Sequence, residues 1–265
     1  VPRKPTLSPS KLTTYLACQT KYRWTYVDER GRWFLRSKSY FSFGATLHRV
    51  LQRYHDQTDT SVQTSAQAII ALEESWIAAG YASAEQMEQA LEKAKAIVTG
   101  YVEAAEQRPR EVLTLWVERM LRLDLGEFVL TGRIDRLDEW PDGTLEIVDY
   151  KSRRSGVTCE DVASDLAMAC YQLLVTHHYP DRPVLATIHA LRSGEQASWS
   201  MPKDELAAFG EDIRALGIEI LNRDWEADVP TWKELCVECD FRPLCLKYPD
   251  FREEFEARAG SDSPM

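Results

Sequence analysis

The sequence has no long uncharged apolar run, so no membrane-spanning helix and no membrane partner are expected. It lacks the basic-then-apolar start of a secretory signal, which leads to the expectation of a cytoplasmic protein. Twelve glycines and twelve prolines in 265 residues are too few for a low-complexity or collagen-like chain. Six cysteines, unevenly spaced, are too sparse for a small disulfide scaffold. No Walker-type phosphate loop is present, which excludes an ATP-driven motor within this chain. Cations are also short: 32 Lys and Arg face 42 Asp and Glu, for a net charge of −10. Taken as a total, that deficit argues against a nucleic-acid partner.

The distribution of charge says otherwise. Residues 1–38 hold nine Lys or Arg and two acids, a net +7, which leaves −17 on the other 227 residues. The same stretch is dense in rings: Tyr15, Tyr22, Trp24, Tyr26, Trp33 and Phe34, followed by Tyr40, Phe41 and Phe43. Cations interleaved with aromatics suit a single-stranded nucleic acid, the cations neutralising phosphates and the rings stacking on bases. Lys21, Arg23, Trp24, Arg32 and Trp33 are the candidate contacts. The same pattern also fits core rings with a solvated charged rim.

Hydrophobic content of 44% supplies ample core for a globular α/β fold. A first helix starting from a Ser8 or Ser10 cap is predicted to about Cys18, and a second over Phe43–His55. Two amphipathic helices are predicted over 62–79 and 83–107, closed by Arg108-Pro109. Short Val/Leu/Ile/Trp-rich stretches then predict strands at Val112–Asp124, Phe128–Glu139 and Thr144–Lys151. A helix over about 160–179, strands at Val184–Leu191 and Ala197–Met201, and a helix over 203–222 follow. The tail reads as a cysteine-containing irregular stretch, a short acidic helix and a frayed Gly-Ser-Asp-Ser-Pro end. One domain over 1–265 is expected, in four stretches. These are a basic, aromatic arm (1–43), a helical flank (44–107), a core (108–222) and a cysteine-bearing tail (223–265).

Pro141-Asp142-Gly143 is a tight-turn signal and makes the second and third strands a hairpin. With the turn centred on Asp142, Asp135 and Asp149 fall opposite each other, each seven residues away. Two carboxylates about 4 Å apart repel by roughly 4 kcal/mol at a protein-like effective dielectric. A divalent cation, with Lys151 beside it, would offset that, and an all-oxygen site suits Mg²⁺ or Mn²⁺. A one-residue slip would turn Asp135 to the other face.

Gly132-x-Ile-Asp135-Arg followed by Ile147-Val-Asp149-Tyr-Lys151-Ser resembles the signature of the PD-(D/E)xK nuclease superfamily, in its RecB-like branch. The resemblance runs over most of the chain. It implies a restriction-endonuclease-like mixed sheet flanked by helices, and a metal-dependent deoxyribonuclease. Asp135, Asp149 and the Tyr150 carbonyl become metal ligands and Lys151 the catalytic lysine. His48, in Gly44-Ala-Thr-Leu-His48-Arg-Val-Leu51, resembles the family's metal-binding helical histidine, and would favour Mn²⁺ somewhat. Glu118 stands where such nucleases carry an auxiliary acid, and Tyr171 matches the tyrosine of the family's Asp-Leu-Gln-x-x-x-Tyr helix. The glutamine of that motif is Ala167 here, with Gln172 beside Tyr171. Single strands or DNA ends are the expected substrate, and exonuclease action is favoured over endonuclease. A partner helicase or CRISPR integrase fits such an enzyme. The alternative is a weak or inactive DNA-binding module that keeps the fold.

Cys236-x2-Cys239-x5-Cys245 places three thiols within ten residues. Cys18 is the natural fourth ligand, ahead of Cys159 and Cys170. Such a set binds zinc or an iron–sulfur cluster, and spacing does not separate the two. The arrangement resembles the iron–sulfur staple of AddB-type and CRISPR-adaptation nucleases, which implies [4Fe–4S] over zinc. By that resemblance the staple joins the N- and C-terminal segments in a structural role.

Overall fold

Glycine turns and side-chain caps set the element boundaries in a computed structural model that describes residues 3–107, 111–152 and 156–259. The Arg108-Pro109 closure and the Gly-Ser-Asp-Ser-Pro end lie outside those residues. In chain order the elements begin with β1 (Thr6–Leu7), α1 (Pro9–Ala17), α2 (Gln19–Tyr22), a π-helical turn (Arg23–Val27) and a 3₁₀ turn (Glu29–Trp33). Then come α3 (Ser39–His55), α4 (Ser65–Glu74), α5 (Ala84–Glu106), β2 (Leu113–Asp124), β3 (Val129–Glu139) and β4 (Leu145–Lys151). The remainder is α6 (Cys159–Ser164), α7 (Leu166–His178), β5 (Val184–Ala190), β6 (Glu195–Trp199), α8 (Lys203–Asn222), a 3₁₀ turn (Glu234–Glu238), α9 (Arg242–Cys245) and α10 (Pro249–Ala259). They form two units, one of Val1–Pro9 with Ser37–Arg214, the other of Ser10–Arg36 with Ala215–Met265.

The first unit carries a six-stranded mixed sheet flanked by helices, the α/β architecture expected. β2 pairs antiparallel along one edge of β3. The other edge of β3 is shared: β4 pairs antiparallel over Arg136–Glu139, and β1 pairs parallel at Val129 and Leu130. Over residues 131–135 neither strand pairs with that edge, so the sheet opens there. Arg136 lies opposite Val148 and Leu137 opposite Ile147, the register of a turn centred on residue 142. Gly143 takes φ +88°, a region costly for other residues, and Asp142 Oδ1 accepts the Thr144 amide at 2.9 Å.

Residues 145–150 of β4 are all buried, because β4 runs between β3 and the parallel β5 with helices covering the sheet. The β4–β5 crossover is not the single helix predicted over 160–179. Asp165 ends α6 and starts α7, its carboxylate accepting the Ala167 amide at 2.8 Å and the Met168 amide at 3.2 Å. A short carboxylate competes for backbone donors better as a cap than inside a helix. β6 starts two residues before its predicted position, after a turn with Gly194 at φ +76°. β1, only two residues long, carries no periodicity to read.

Leu47, Val50, Leu51, Leu72, Val98 and Val102 of α3, α4 and α5 form one buried cluster with Val148 and Tyr150 of β4. Each such aliphatic side chain gains about 1.5–3 kcal/mol on leaving water. The helix predicted over 62–79 is shorter, because Thr64 and Gln67 form a capping box and the chain leaves the helix at Ser75. The following loop lies against α3: Ser42 Oγ donates to the Ala79 carbonyl at 2.7 Å, and the Ile77 amide donates to Thr46 Oγ1 at 3.2 Å. A Cβ on Gly80, at φ +86°, would meet the Lys38 carbonyl carbon at 2.6 Å. Among the described residues no helix is long and apolar enough to cross a membrane.

In the second unit, Tyr22 stacks on Trp225, and Tyr15 Oη donates to Glu219 at 2.6 Å. Buried Asp228 accepts from Thr20 Oγ1 and from Arg223, each at 2.8 Å.

Candidate active site and thiol cluster

The first unit gathers its titratable groups where the sheet opens. His48 projects from α3, Glu118 from β2 and Asp135 from β3, each offering a ligand atom within 4.8 Å of the others. His48 Nδ1 is 3.3 Å from Asp135 Oδ1 and 4.0 Å from Glu118 Oε1. Its Nε2 is 3.0 Å from the Tyr150 carbonyl oxygen. The other Asp135 oxygen accepts the Tyr150 amide at 2.9 Å, where the β3–β4 ladder has ended. Lys151 Nζ reaches Asp149 Oδ2 at 2.7 Å. That oxygen is buried without a hydrogen bond of normal geometry, so the pair is a close ionic contact rather than a well-aligned bond.

Glu118 reaches the site through a backbone irregularity. It lies at φ +48°, the one non-glycine at positive φ among the described residues. Val117 pairs with Arg136 and Arg119 with Ile134, which sets Glu118 across from Asp135 with no pair assigned between the two. The burial alternation of β2 changes phase here: Arg119 and Met120 are both exposed before the alternation resumes at buried Leu121. Left-handed backbone at a Glu costs about 1–2 kcal/mol, held in place by the surrounding strands. Glu118 Oε2 also accepts from exposed Arg133 at 3.0 Å.

The electrostatics are those of an acidic, desolvated cluster. Burial pushes the Asp149 pKa up to about 6, with Lys151 opposing and Asp135 adding to the rise. Burial and the Asp135 charge raise Glu118. At His48 burial works to lower the pKa, but Asp135, Asp149 and Glu118 overcome it and hold the imidazole at about 9. Tyr171 is raised far above the ordinary phenol range, by burial first and then by the charges of Asp149 and Asp135. A divalent cation removes this mutual repulsion, and oxygen donors with one imidazole are the donor set such an ion takes. The residues therefore fit a metal.

α7 covers this region closely. A Cβ on Gly132 would meet Leu174 Cδ1 at 2.6 Å and the Tyr171 ring at 3.0 Å, so any larger residue would force these side chains of α7 to shift. Gln172 turns elsewhere: buried, its Oε1 accepts the Met201 amide at 2.9 Å. It does not replace the amide missing at Ala167.

Sequence reasoning did not pick out the network behind Tyr150. The Tyr150 hydroxyl lies 2.9 Å from the Tyr101 hydroxyl and accepts from buried Arg136 at 2.7 Å. The same guanidinium bonds fully buried Asp138 at 2.9 Å and lies 2.6 Å from His55 Nε2. The alternation Arg136-Leu-Asp138 on one strand face was the available signal.

In the second unit Cys18, Cys236, Cys239 and Cys245 line one small cavity with Thr20, Phe241 and Phe251. All are free thiols. The Lys21 amide donates to Cys18 Sγ and the Lys233 amide to Cys236 Sγ, each at 3.4 Å. Burial and the neighbouring thiols push Cys245 up to about 12 and also raise Cys236. Cys170 sits apart, buried on α7 in the first unit, and Cys159 is exposed. Of the candidate nucleic-acid residues, Trp24 belongs to a buried group with Phe241 and Leu244 and lies under the Arg23 guanidinium at 5.0 Å. Trp33 is 76% exposed, with Arg32 at 5.1 Å from its ring.

Residues 6–246 match the PD-(D/E)XK nuclease superfamily. The chain belongs to that superfamily. At the opening of the sheet this PD-(D/E)XK chain brings Asp135 to His48 and Asp149 to Lys151. Comparison with curated proteins gives no match. Among solved structures, "Crystal structure of SSO0001" is similar at 12% identity and a TM-score of 0.36, covering 95% of this chain and 89% of that one. That likeness is too distant to carry a residue role across.

Proposed function

We propose that this chain is a divalent-metal-dependent deoxyribonuclease of the RecB-like branch. It hydrolyses phosphodiester bonds in single strands or at DNA ends, with exonuclease action favoured. The observation that carries the reading is the convergence of His48, Glu118 and Asp135 within 4.8 Å, with the Tyr150 carbonyl 3.0 Å from His48. These groups, with Asp149, would hold Mg²⁺ or Mn²⁺, and the imidazole tilts the preference toward Mn²⁺. When bound, such a cation acidifies a water and polarises a phosphoryl oxygen. Asp135 fixes the end of β4 through the Tyr150 amide while offering its other oxygen to the site. Lys151, held by Asp149 at 2.7 Å, supplies a cation for the charge that builds on phosphorus and orients the attacking water.

In the second unit, a [4Fe–4S] cluster is the proposed occupant of the four-cysteine cavity. The reading rests on the resemblance of Cys18 and Cys236-x2-Cys239-x5-Cys245 to an iron–sulfur staple, and four cysteines lining one cavity suit a shared metal centre, zinc being the less favoured occupant. Lys21, Arg23, Arg32 and Trp33 are proposed as a nucleic-acid surface of this unit, with Trp24 holding the fold beneath them. A helicase or integrase partner and a cytoplasmic setting complete the proposal.

The test is to incubate the protein with labelled single-stranded and duplex DNA under Mn²⁺, Mg²⁺ or chelator, beside Lys151→Ala. Cleavage that needs metal and Lys151 supports the reading. Intact DNA in every arm sinks it, and binding without cleavage points to the inactive-module alternative that Ala167 raises. A brown protein that Cys239→Ser bleaches supports the cluster, whereas colourless protein carrying zinc after anaerobic preparation overturns it.

A further inference from the structure

A groove of about 540 Å³ runs between the start of α3, the loop after α4 and the face of α5, within the first unit. Its volume is that of a ligand site rather than a packing defect. Tyr40, Phe43 and Tyr81 line it, together with Lys93 and Arg192. Among the described residues no acidic side chain does, although the chain carries a net −10. Among the described residues neither Lys93 nor Arg192 has a carboxylate partner, and both side chains are exposed.

The groove is built. Tyr81 stacks on Trp76 at 5.8 Å, and Trp76 packs edge-on against Phe43 at 6.4 Å. The loop that carries Tyr81 is tied to α3 through Ser42 and Thr46 and pressed on Lys38 at Gly80. The Tyr81 hydroxyl is buried with no hydrogen-bond partner, a donor and acceptor left unanswered beside the cavity. Leaving such a group unpaired costs about 1–3 kcal/mol.

The groove is also linked to the proposed active site through shared elements. Arg192 Nε donates to the Ser152 carbonyl at 2.9 Å, and Ser152 follows Lys151. The Leu191 amide donates to the Lys151 carbonyl at 3.2 Å. α3 carries both sites: Tyr40 and Phe43 precede His48 by eight and five residues, about 12 and 7.5 Å along the axis.

We propose that this groove is a single-stranded DNA subsite, in which Tyr40 and Tyr81 meet bases and Lys93 and Arg192 meet the phosphates of the strand whose scissile bond lies at His48 and Asp135. The assignment rests on the nuclease reading for its orientation. It differs from the arm of the second unit by placing the strand on α3 and α5. Rings take bases without regard to sequence, so the subsite is sequence-tolerant and selective for unpaired strands.

The experiment measures anisotropy of a labelled oligothymidylate and of a labelled duplex in chelator, with wild type, Lys93→Glu, Tyr40→Ala and Tyr81→Phe. Lys93 is exposed and Tyr81→Phe keeps the ring, so folding is preserved in both. Tyr40→Ala is expected to weaken oligothymidylate binding by about tenfold, the range of one stacked base, and Lys93→Glu to weaken it through the lost phosphate contact, both with duplex affinity unchanged, while Tyr81→Phe keeps the ring and binds as wild type does. Photo-crosslinking of 5-iododeoxyuridine oligomers is expected at Tyr40 or Tyr81. Unchanged oligothymidylate affinity in both Lys93→Glu and Tyr40→Ala, or crosslinks confined to residues 10–36, overturns the subsite. Wild-type cleavage in Mn²⁺ is scored separately. Cutting with unaffected groove variants removes only the subsite, and groove-dependent binding without cutting removes only the nuclease reading.

Discussion

The Tyr150 backbone amide donates to Asp135 Oδ2 at 2.9 Å, so one carboxylate forms the last rung of a hairpin and is also an acid of the proposed metal site. The two duties separate by substitution. Asn keeps an oxygen for the amide and loses the charge. Asp135→Asn is therefore expected to melt within a few degrees of wild type while losing Mn²⁺ affinity, by titration calorimetry, and at least about 100-fold in cleavage rate. A large fall in melting temperature would show that the acid is needed chiefly for structure.

Glu118 sits in left-handed backbone and has the Asp135 carboxylate for a neighbour. Asn tolerates that conformation better and carries no charge. Glu118→Asn is expected to hold or raise stability, by up to about 1 kcal/mol in urea unfolding, while weakening Mn²⁺ binding. Loss of stability with unchanged metal affinity would contradict the assignment.

Gly132 is required by the approach of α7 rather than by its own dihedrals. Gly132→Ala sets a methyl against Leu174 and the Tyr171 ring, and is expected to cost about 1–3 kcal/mol. Pairing it with Leu174→Ala should return part of that loss, and strict additivity of the two in thermal melts would count against the contact.

His189 is buried and held neutral, its pKa pushed down from 6.5 to about 4 by burial and by the Arg136 charge. Between those values the folded chain binds fewer protons at this site than the unfolded chain. Its contribution is therefore complete above pH 6.5 and erodes as pH falls, reaching a loss of about 3 kcal/mol by pH 4. Wild type should lose stability more steeply than His189→Phe across that window, and parallel curves would refute the shift.

The hairpin was legible in the sequence because a turn, two alternating strands and their acids fix one another: residue 142 centres the turn and the register follows. Glu118 was legible only as an acid near the hairpin, since the phase change that turns it inward is a backbone event with no residue signature of its own. Asp165 was read inside a helix because apolar residues continue on both sides, whereas its carboxylate caps α7. Trp24 and Trp33 look alike in a basic, aromatic arm, and burial separates them only in three dimensions. The groove at Tyr40, Tyr81, Lys93 and Arg192 assembles residues spread over about 150 positions, beyond the reach of local pattern.

The second unit is made of two segments, Ser10–Arg36 and Ala215–Met265, separated by 178 residues of chain. During synthesis its first segment therefore emerges long before the residues it packs with. At about 5–20 residues per second, Leu12, Tyr15, Cys18 and Trp24 wait roughly 10–45 seconds for the other half of their core. Over that interval the Cys18 thiol stands without Cys236, Cys239 and Cys245, so whatever the four cysteines hold together is taken up only after the last of them has left the ribosome. The timing of assembly in this unit is set by translation, and its first cysteine is the one exposed longest to oxidation.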